Sequence, residues 1–192
     1  MDEDKKREDD MSAGAAAISA ATGEIEQVFR THHGRVFRAA YRITGNAGDA
    51  EDVLQTVFLR LLRQGRAAES IAHIAGYLQR AAVNAALDLV RARRVAASVP
   101  LEEAASAADS RLRPDRRQDV RELRACLRQA IAQLAPKAAE IFALRYFEDC
   151  DNREIARLLG LTPVDVAVSL HRSRNRLQQD IRSYFGDTYE HR

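Results

Sequence analysis

The chain has no tryptophan, only 4 prolines and 9 glycines, and 2 cysteines among its 192 residues. With so few helix breakers, and with Ala, Leu and Arg abundant, the composition predicts a mostly helical protein. Cys126 and Cys150 stand apart, neither spaced for a metal nor numerous enough for a disulfide framework, which suits a reducing cytosol. No apolar run approaches the roughly 18 residues a membrane span needs. Residues 1–10 are too acidic for a signal peptide. These absences predict a soluble, cytoplasmic chain with no membrane insertion. There is no P-loop, Gly-rich dinucleotide turn, His-Glu-x-x-His or EF-hand loop. His32 and His33 are adjacent, so they cannot share one helix face as metal ligands. Asp49, Glu51 and Asp52 lack the spacing of a calcium loop. No catalytic residue, metal or cofactor is expected.

Hydrophobic residues make up 46% and charged residues 30%, a globular balance. The net charge of +2 says little by itself; its distribution says more. Asp2, Glu3, Asp4, Glu8, Asp9 and Asp10 crowd the start. Basic residues gather further on, at Arg91, Arg93 and Arg94, at Arg111, Arg113, Arg116 and Arg117, and at Arg172, Arg174 and Arg176. An acidic tip with basic patches behind it directs attention to nucleic acid.

Residues 1–21 lack helical periodicity and read as a disordered acidic and Ala-rich tail, with a transient helix as the alternative that the Ala-rich stretch leaves open. From Glu24, the positions Ile25, Val28, Phe29, Val36, Ala40 and Tyr41 recur at helical spacing up to Thr44-Gly45-Asn46. A second helix places Val53, Leu54, Val57, Phe58, Leu61 and Leu62 on one face. A third runs from about His73 to Arg94 and buries Leu78, Ala81, Ala85, and Leu89 or Val90. Three helices with short connections make a bundle over 22–95. Residues 96–117, with Pro100, Pro114 and the charge-rich 111–117 stretch, read as a flexible linker. Periodicity returns at Val120, Leu123, Leu127, Ala130, Ile131 and Leu134, and Pro136 opens a helix containing Ile141, Phe142 and Leu144. Shorter helices over about 152–159 and 163–183 complete a second helical domain (118–186), with a short tail over 187–192. The expected class is all-α, two small domains.

The sharpest local signal spans 151–166. Asp151 is placed to cap a helix, with Glu154 at capping-box spacing. Ala156 is small where a second helix must pass. Gly160 stands where the turn needs positive φ. Thr162 can cap the next helix, Pro163 suits its first position, and Asp165 repeats the capping-box spacing. Val166, Leu170 and Leu177 point inward. This is the layout of a DNA-binding helix-turn-helix. His171, Arg172, Arg174 and Arg176 follow, suited to phosphate contacts that position without reading sequence.

In this order the elements resemble the extracytoplasmic-function sigma factors of the sigma-70 family, over about residues 24–183. The stretch GNAGDAEDVLQTVFLRLLR (45–63) is similar to regions 2.1–2.2, and GYLQRAAVNAALDLVRARR (76–94) to regions 2.3–2.4. Residues 131–178 are similar to region 4, with Leu-Ala-Pro at 134–136, Leu-Arg-Tyr at 144–146 and His-Arg-Ser-Arg at 171–174. The resemblance implies a non-catalytic transcription initiation factor whose partners are RNA polymerase core (the β′ clamp helices and the β subunit) and promoter DNA. It adds an anti-sigma factor as an expected partner, since family members are often sequestered by one.

The resemblance implies that Asp49, Glu51, Asp52, Gln55 and Phe58 form the surface that docks on the β′ clamp helices. It implies that Tyr77, Arg80, Asn84, Asp88, Arg91, Arg93 and Arg94 engage the −10 element. Holding unpaired bases calls for an amide, an aromatic and a basic track, and the third helix supplies those types at spacings near 3–4. The −35 duplex falls to the second domain, through Thr162, Asp165, Ala167, Ser169, His171, Arg172, Arg174 and Arg176. The chain departs from the family at Thr56, where an acid is frequent, at Tyr77, where Trp is frequent, and at Ala167 and Ser169, where Lys and Arg are common. Ala167 or Val168 could instead touch a thymine methyl. The alternative is a stand-alone helix-turn-helix regulator that binds operator DNA, usually as a symmetric dimer. The Asp-Ala-Glu-Asp helix and the Asn/Arg helix argue against it. Cys126, between core positions, reads as an apolar filler.

Overall fold

A computed structural model describes the backbone of residues 2–63, 73–98 and 116–190, and the side chains of 23–63, 73–96 and 120–183. Seven helices make up the described residues: α1 (Asp2–Thr44), α2 (Ala47–Arg63), α3 (Ile74–Ser98), α4 (Arg116–Gln133), α5 (Pro136–Tyr146), α6 (Asn152–Leu159) and α7 (Pro163–Glu190). The fold is all-α. The linker expected over 96–117 lies mostly outside the described residues.

Helices α1, α2 and α3 pack as a three-helix bundle. Ala39, Ala40, Ala82 and Ala86 are fully buried and let the backbones approach, while Val36, Ile43, Val57, Leu61, Leu78 and Leu87 fill the space between. The turn from α1 to α2 is built locally. Gly45 takes φ +71°, which L side chains resist, and its N–H donates to Tyr41 O at 2.7 Å. Asn46 then caps α2 by accepting from the Asp49 N–H at 3.2 Å. In the second unit α4, α5 and α6 pack on α7, around Ile131, Leu144, Ile155, Val166, Leu170 and Leu177.

Several expectations need correction. α1 begins at Asp2, so its helix runs through the segment expected to be a disordered tail. The reason is local: the Ala-rich 13–21 stretch has high helix propensity, and acids lead the first turn. Leu62, assigned to the inner face of α2, is 46% exposed, while Leu61 is fully buried. The inner stripe is Val53, Val57, Phe58 and Leu61. Phe29, Tyr41, Val120 and Leu123 are also exposed, at 38–47%. α3 and α7 run past the expected ends at 94 and 183.

The two units are not separate. α3 shows one flank to α1 and α2 and another to α4 and α5.

Candidate polymerase-docking and nucleic-acid surfaces

On α2, Glu51, Asp52 and Gln55 are exposed. Asp52 and Gln55 share a face with Leu59 and Leu62, which are 48% and 46% exposed. An acid, an amide and two uncovered leucines form a surface that suits a protein partner. The sequence reading missed both leucines as surface residues. The other two residues expected here turn inward. Phe58 is buried, with its ring edge-on to Phe29 at 4.9 Å. Asp49 is buried in the first turn of α2 and pairs with Arg93 of α3. A residue expected to dock on polymerase and one expected to bind DNA are thus engaged with each other.

On α3, Tyr77 is half-buried against the core. Arg80, Asn84, Asp88 and Arg91 follow at helical spacing on one face, and that face meets the second unit. Arg80 Nε and Asn84 Nδ2 both donate to Glu140 Oε1 of α5, at 3.1 and 3.0 Å. Arg80 Nη1 donates to Leu158 O at 2.9 Å, and Arg91 Nε to Ala132 O at 2.9 Å. Asp88 pairs with Arg91 at 3.0 Å. Arg94 is exposed.

Next to this face, Gln79 is a buried amide that sequence reasoning passed over. It accepts from Arg35 at 3.2 Å and donates to Glu148 Oε2 at 3.1 Å. Cys150 Sγ lies 3.6 Å from its nitrogen. Burial pushes the Cys150 thiol above its ordinary range, and Glu154 and Glu148 push the same way. Arg128 of α4 lies over the α1–α2 turn, so close that a Cβ on Gly45 would meet its guanidinium at 2.7 Å. Burial, followed by Arg124, lowers the Arg128 pKa.

The helix-turn-helix carries its expected caps. Asp151 accepts from the N–H groups of Arg153 and Glu154 at 2.7 and 2.8 Å, and Glu154 accepts from the Asp151 N–H at 2.7 Å. These N–H donors, that of Glu154 foremost, hold the Asp151 carboxyl below its ordinary range. Gly160 adopts φ +65°, and the Leu161 N–H donates back to Ala156 O at 2.9 Å. At α7, Thr162 Oγ1 accepts from the Asp165 N–H at 3.1 Å and donates to Asp165 Oδ2 at 2.7 Å. Both side chains therefore serve the cap. Val164, Ala167 and Val168 are exposed on the first turns of α7, and Ser169 is half-buried. His171, Arg172, Arg174 and Arg176 are exposed further along; His171 contacts Asn175, and Arg176 pairs with Asp180 at 3.0 Å. The core of the turn is Ile155, Ala156, Val166 and Leu170.

Among the described residues no cluster of His, Cys, Asp or Glu could hold a metal, and no helix is long and apolar enough to cross a membrane. What the surfaces offer is binding to a protein and to nucleic acid.

Two family models match this layout: Sigma-70 region 2 over residues 28–95, and Sigma-70, region 4 over residues 124–177. The RNA polymerase sigma-E factor of Streptomyces avermitilis is 32% identical over 164 residues, covering 83% of this chain and 86% of that protein. The ECF RNA polymerase sigma factor SigE of Mycolicibacterium smegmatis is 29% identical over 91% of this chain and 68% of that one. A solved structure of the sigma factor RpoE with the anti-sigma factor NepR from Bartonella quintana covers 82% of this chain and 96% of that chain. Its identity is 18% and its TM-score 0.47. The chain belongs to the extracytoplasmic-function group of the sigma-70 family. It is a transcription initiation factor rather than an enzyme or a stand-alone regulator, with RNA polymerase core and promoter DNA as its partners.

Proposed function

We propose that the labour of initiation is divided among three helices. The α2 surface of Glu51, Asp52 and Gln55, widened by Leu59 and Leu62, docks on the β′ clamp helices of the polymerase. The α3 face of Tyr77, Arg80, Asn84 and Arg91 captures the unpaired −10 strand, the amide hydrogen-bonding a base and the guanidiniums tracking phosphate. The tip of α7 enters the −35 major groove while Arg172 and Arg174 hold the backbone. The observation that carries this reading is the exposure of the α2 acids on a helix other than those with DNA chemistry. One chain can therefore bind polymerase and promoter together. Acting on RNA polymerase places the protein in the cytoplasm. An anti-sigma protein covering both units would block all three surfaces.

The test is a binding assay of the purified chain on promoter fragments, with and without core polymerase. Opening of specific fragments only when core is present supports the reading. Tight sequence-specific duplex binding by the chain alone, with no affinity for core, overturns it.

A further inference from the structure

Arg80, Asn84 and Arg91 carry the chemistry that a single DNA strand needs, yet all three use it inside the chain. Glu140 is 5% exposed, and its carboxylate faces α3. One oxygen accepts from both Arg80 and Asn84, and the other takes Lys137 at 3.4 Å. A carboxylate offers a guanidinium and an amide the same anionic acceptor that a phosphate or a base edge offers. The fit extends beyond polar groups. Gly76 leaves room for Leu158, whose Cδ2 would lie 2.7 Å from a Cβ at that position. By contrast, Glu51, Asp52 and Gln55 on α2, and Val164, Ala167 and Val168 on α7, remain exposed. The closed arrangement covers the −10 face and leaves the polymerase-docking face open.

Distance makes this arrangement incompatible with promoter binding. Elements centred near −10 and −35 are separated by about 25 base pairs, or about 85 Å at 3.4 Å per pair. Units in hydrogen-bonding contact cannot occupy both. We propose that α5 is an internal competitor for the −10 strand: Glu140 latches Arg80 and Asn84 in the free chain, and docking on polymerase, which needs only the exposed α2 face, precedes opening of the latch. This rests on the assignment of α3 to the −10 strand.

Two full-length variants open the latch by different routes. Glu140→Gln keeps the shape and removes the anion. Gly76→Gln places a side chain against Leu158, changes no charge and favours the α3 helix. Glu26→Gln removes a charge from an exposed i,i+4 pair on α1 and serves as the control. Two quantities are read without polymerase. One is the radius of gyration from X-ray scattering. The other is the affinity for a fluorescein-labelled random-sequence single strand of about 16 nucleotides at low salt. Both opening variants are expected to enlarge the radius and to bind the strand about fivefold more tightly, the scale of one partly exposed ion pair, with the control unchanged. Equal tightening in Glu26→Gln would reduce the effect to net charge and overturn the proposal. So would an unchanged radius in Gly76→Gln, or a larger radius without tighter strand binding. The −10 assignment fails separately, if Asn84→Ala leaves promoter opening by the assembled holoenzyme intact.

Discussion

The Asn84 amide on α3 lies 3.0 Å from the Glu140 carboxylate on α5, 56 residues further along the chain. That contact joins a residue suited to an unpaired base with an acid belonging to the other unit. Mid-helix asparagine contributes little to helicity, so the position earns its place through what its side chain meets. In this structure it meets a carboxylate. Under the proposed −10 assignment it would meet a base on a promoter, and the two partners exclude each other.

The adjacent leucines of α2 separate stability from binding. Leu61 is fully buried, so Leu61→Ala removes core volume and should cost about 2–5 kcal/mol in urea unfolding. Leu62 is 46% exposed, and Leu62→Ala should change stability by less than about 0.5 kcal/mol while weakening core polymerase binding. Equal destabilisation by both, or full polymerase affinity in Leu62→Ala, would remove Leu62 from the docking surface.

Asp49 and Asp52 should divide in the same way. Asp49 is buried in the first turn of α2 and pairs with Arg93, whose side chain is itself largely exposed, so Asp49→Ala gives up an ion pair and a helix N-terminal charge and should destabilise the chain by about 0.5–1 kcal/mol. Asp52 is exposed, and Asp52→Ala should lower polymerase affinity with the melting temperature unchanged. Titration against core polymerase beside a thermal melt reads both. A folded, unaltered melt for Asp49→Ala would mean that its role is docking after all.

Much of this architecture was legible from local pattern. Asp151, Gly160, Thr162 and Asp165 act within four residues of themselves, so their spacing alone announces the caps and the turn. Leu61 and Leu62 show where pattern fails, since one residue of rotation, 100° on a helix, separates core from solvent. Glu140 and Gln79 were invisible for another reason. Each is a buried polar residue, and the partners that make burial tolerable come from segments 44 to 69 residues away. The same long-range pairing hid the engagement of Asp49 with Arg93. Residues 1–21 carry charge and small side chains that resemble a disordered tail and also suit a helix, and the helix is the arrangement found.

Cys150 offers a chemical reporter of the contact between the units. It is buried beside Gln79, and burial with Glu154 and Glu148 nearby raises its thiol pKa, so little thiolate exists at neutral pH. Alkylation by iodoacetamide should be slow in the free chain and should speed up several-fold in Gly76→Gln or on binding core polymerase. Peptide mapping distinguishes Cys150 from Cys126, which is half-buried elsewhere. Equal Cys150 rates in all three states would show that its environment does not change when polymerase binds.

The helix-turn-helix should weaken in acid through Asp151. Its folded-state carboxyl titrates below the ordinary 3.8 because the N–H groups of Glu154 and Arg153 bind the anion. A depressed folded pKa contributes stability that is present above the unfolded value and is lost as pH falls through the folded one. Thermal stability of the wild type should therefore decline from about pH 5 downward. Asp151→Asn retains a capping oxygen but not the titration, so its melting temperature should fall less steeply over that range. Parallel pH profiles for the two proteins would assign the acid sensitivity to other carboxylates.

The tip of α7 should read thymine through its methyl group. Thr162 and Asp165 are committed to each other in the cap, which leaves Val164 and Val168, 69% and 43% exposed, with Ala167 between them. Apolar side chains entering a major groove find the C5-methyl as their matching surface. A site selected by the holoenzyme from duplexes randomised upstream of a fixed −10 element should contain thymine at one or more −35 positions. Replacing that thymine by uracil removes the methyl and keeps every hydrogen bond. The expected loss is about 0.8 kcal/mol, or roughly fourfold in affinity, per methyl buried. Val168→Ser should bind the thymine and uracil duplexes alike. Arg172→Ala, by contrast, should weaken binding to both and lower the salt slope by about 1, as a lost phosphate contact does. A wild-type holoenzyme indifferent to the methyl would mean that −35 selectivity comes from DNA shape or from His171, and would leave Val164 and Val168 without a part in it.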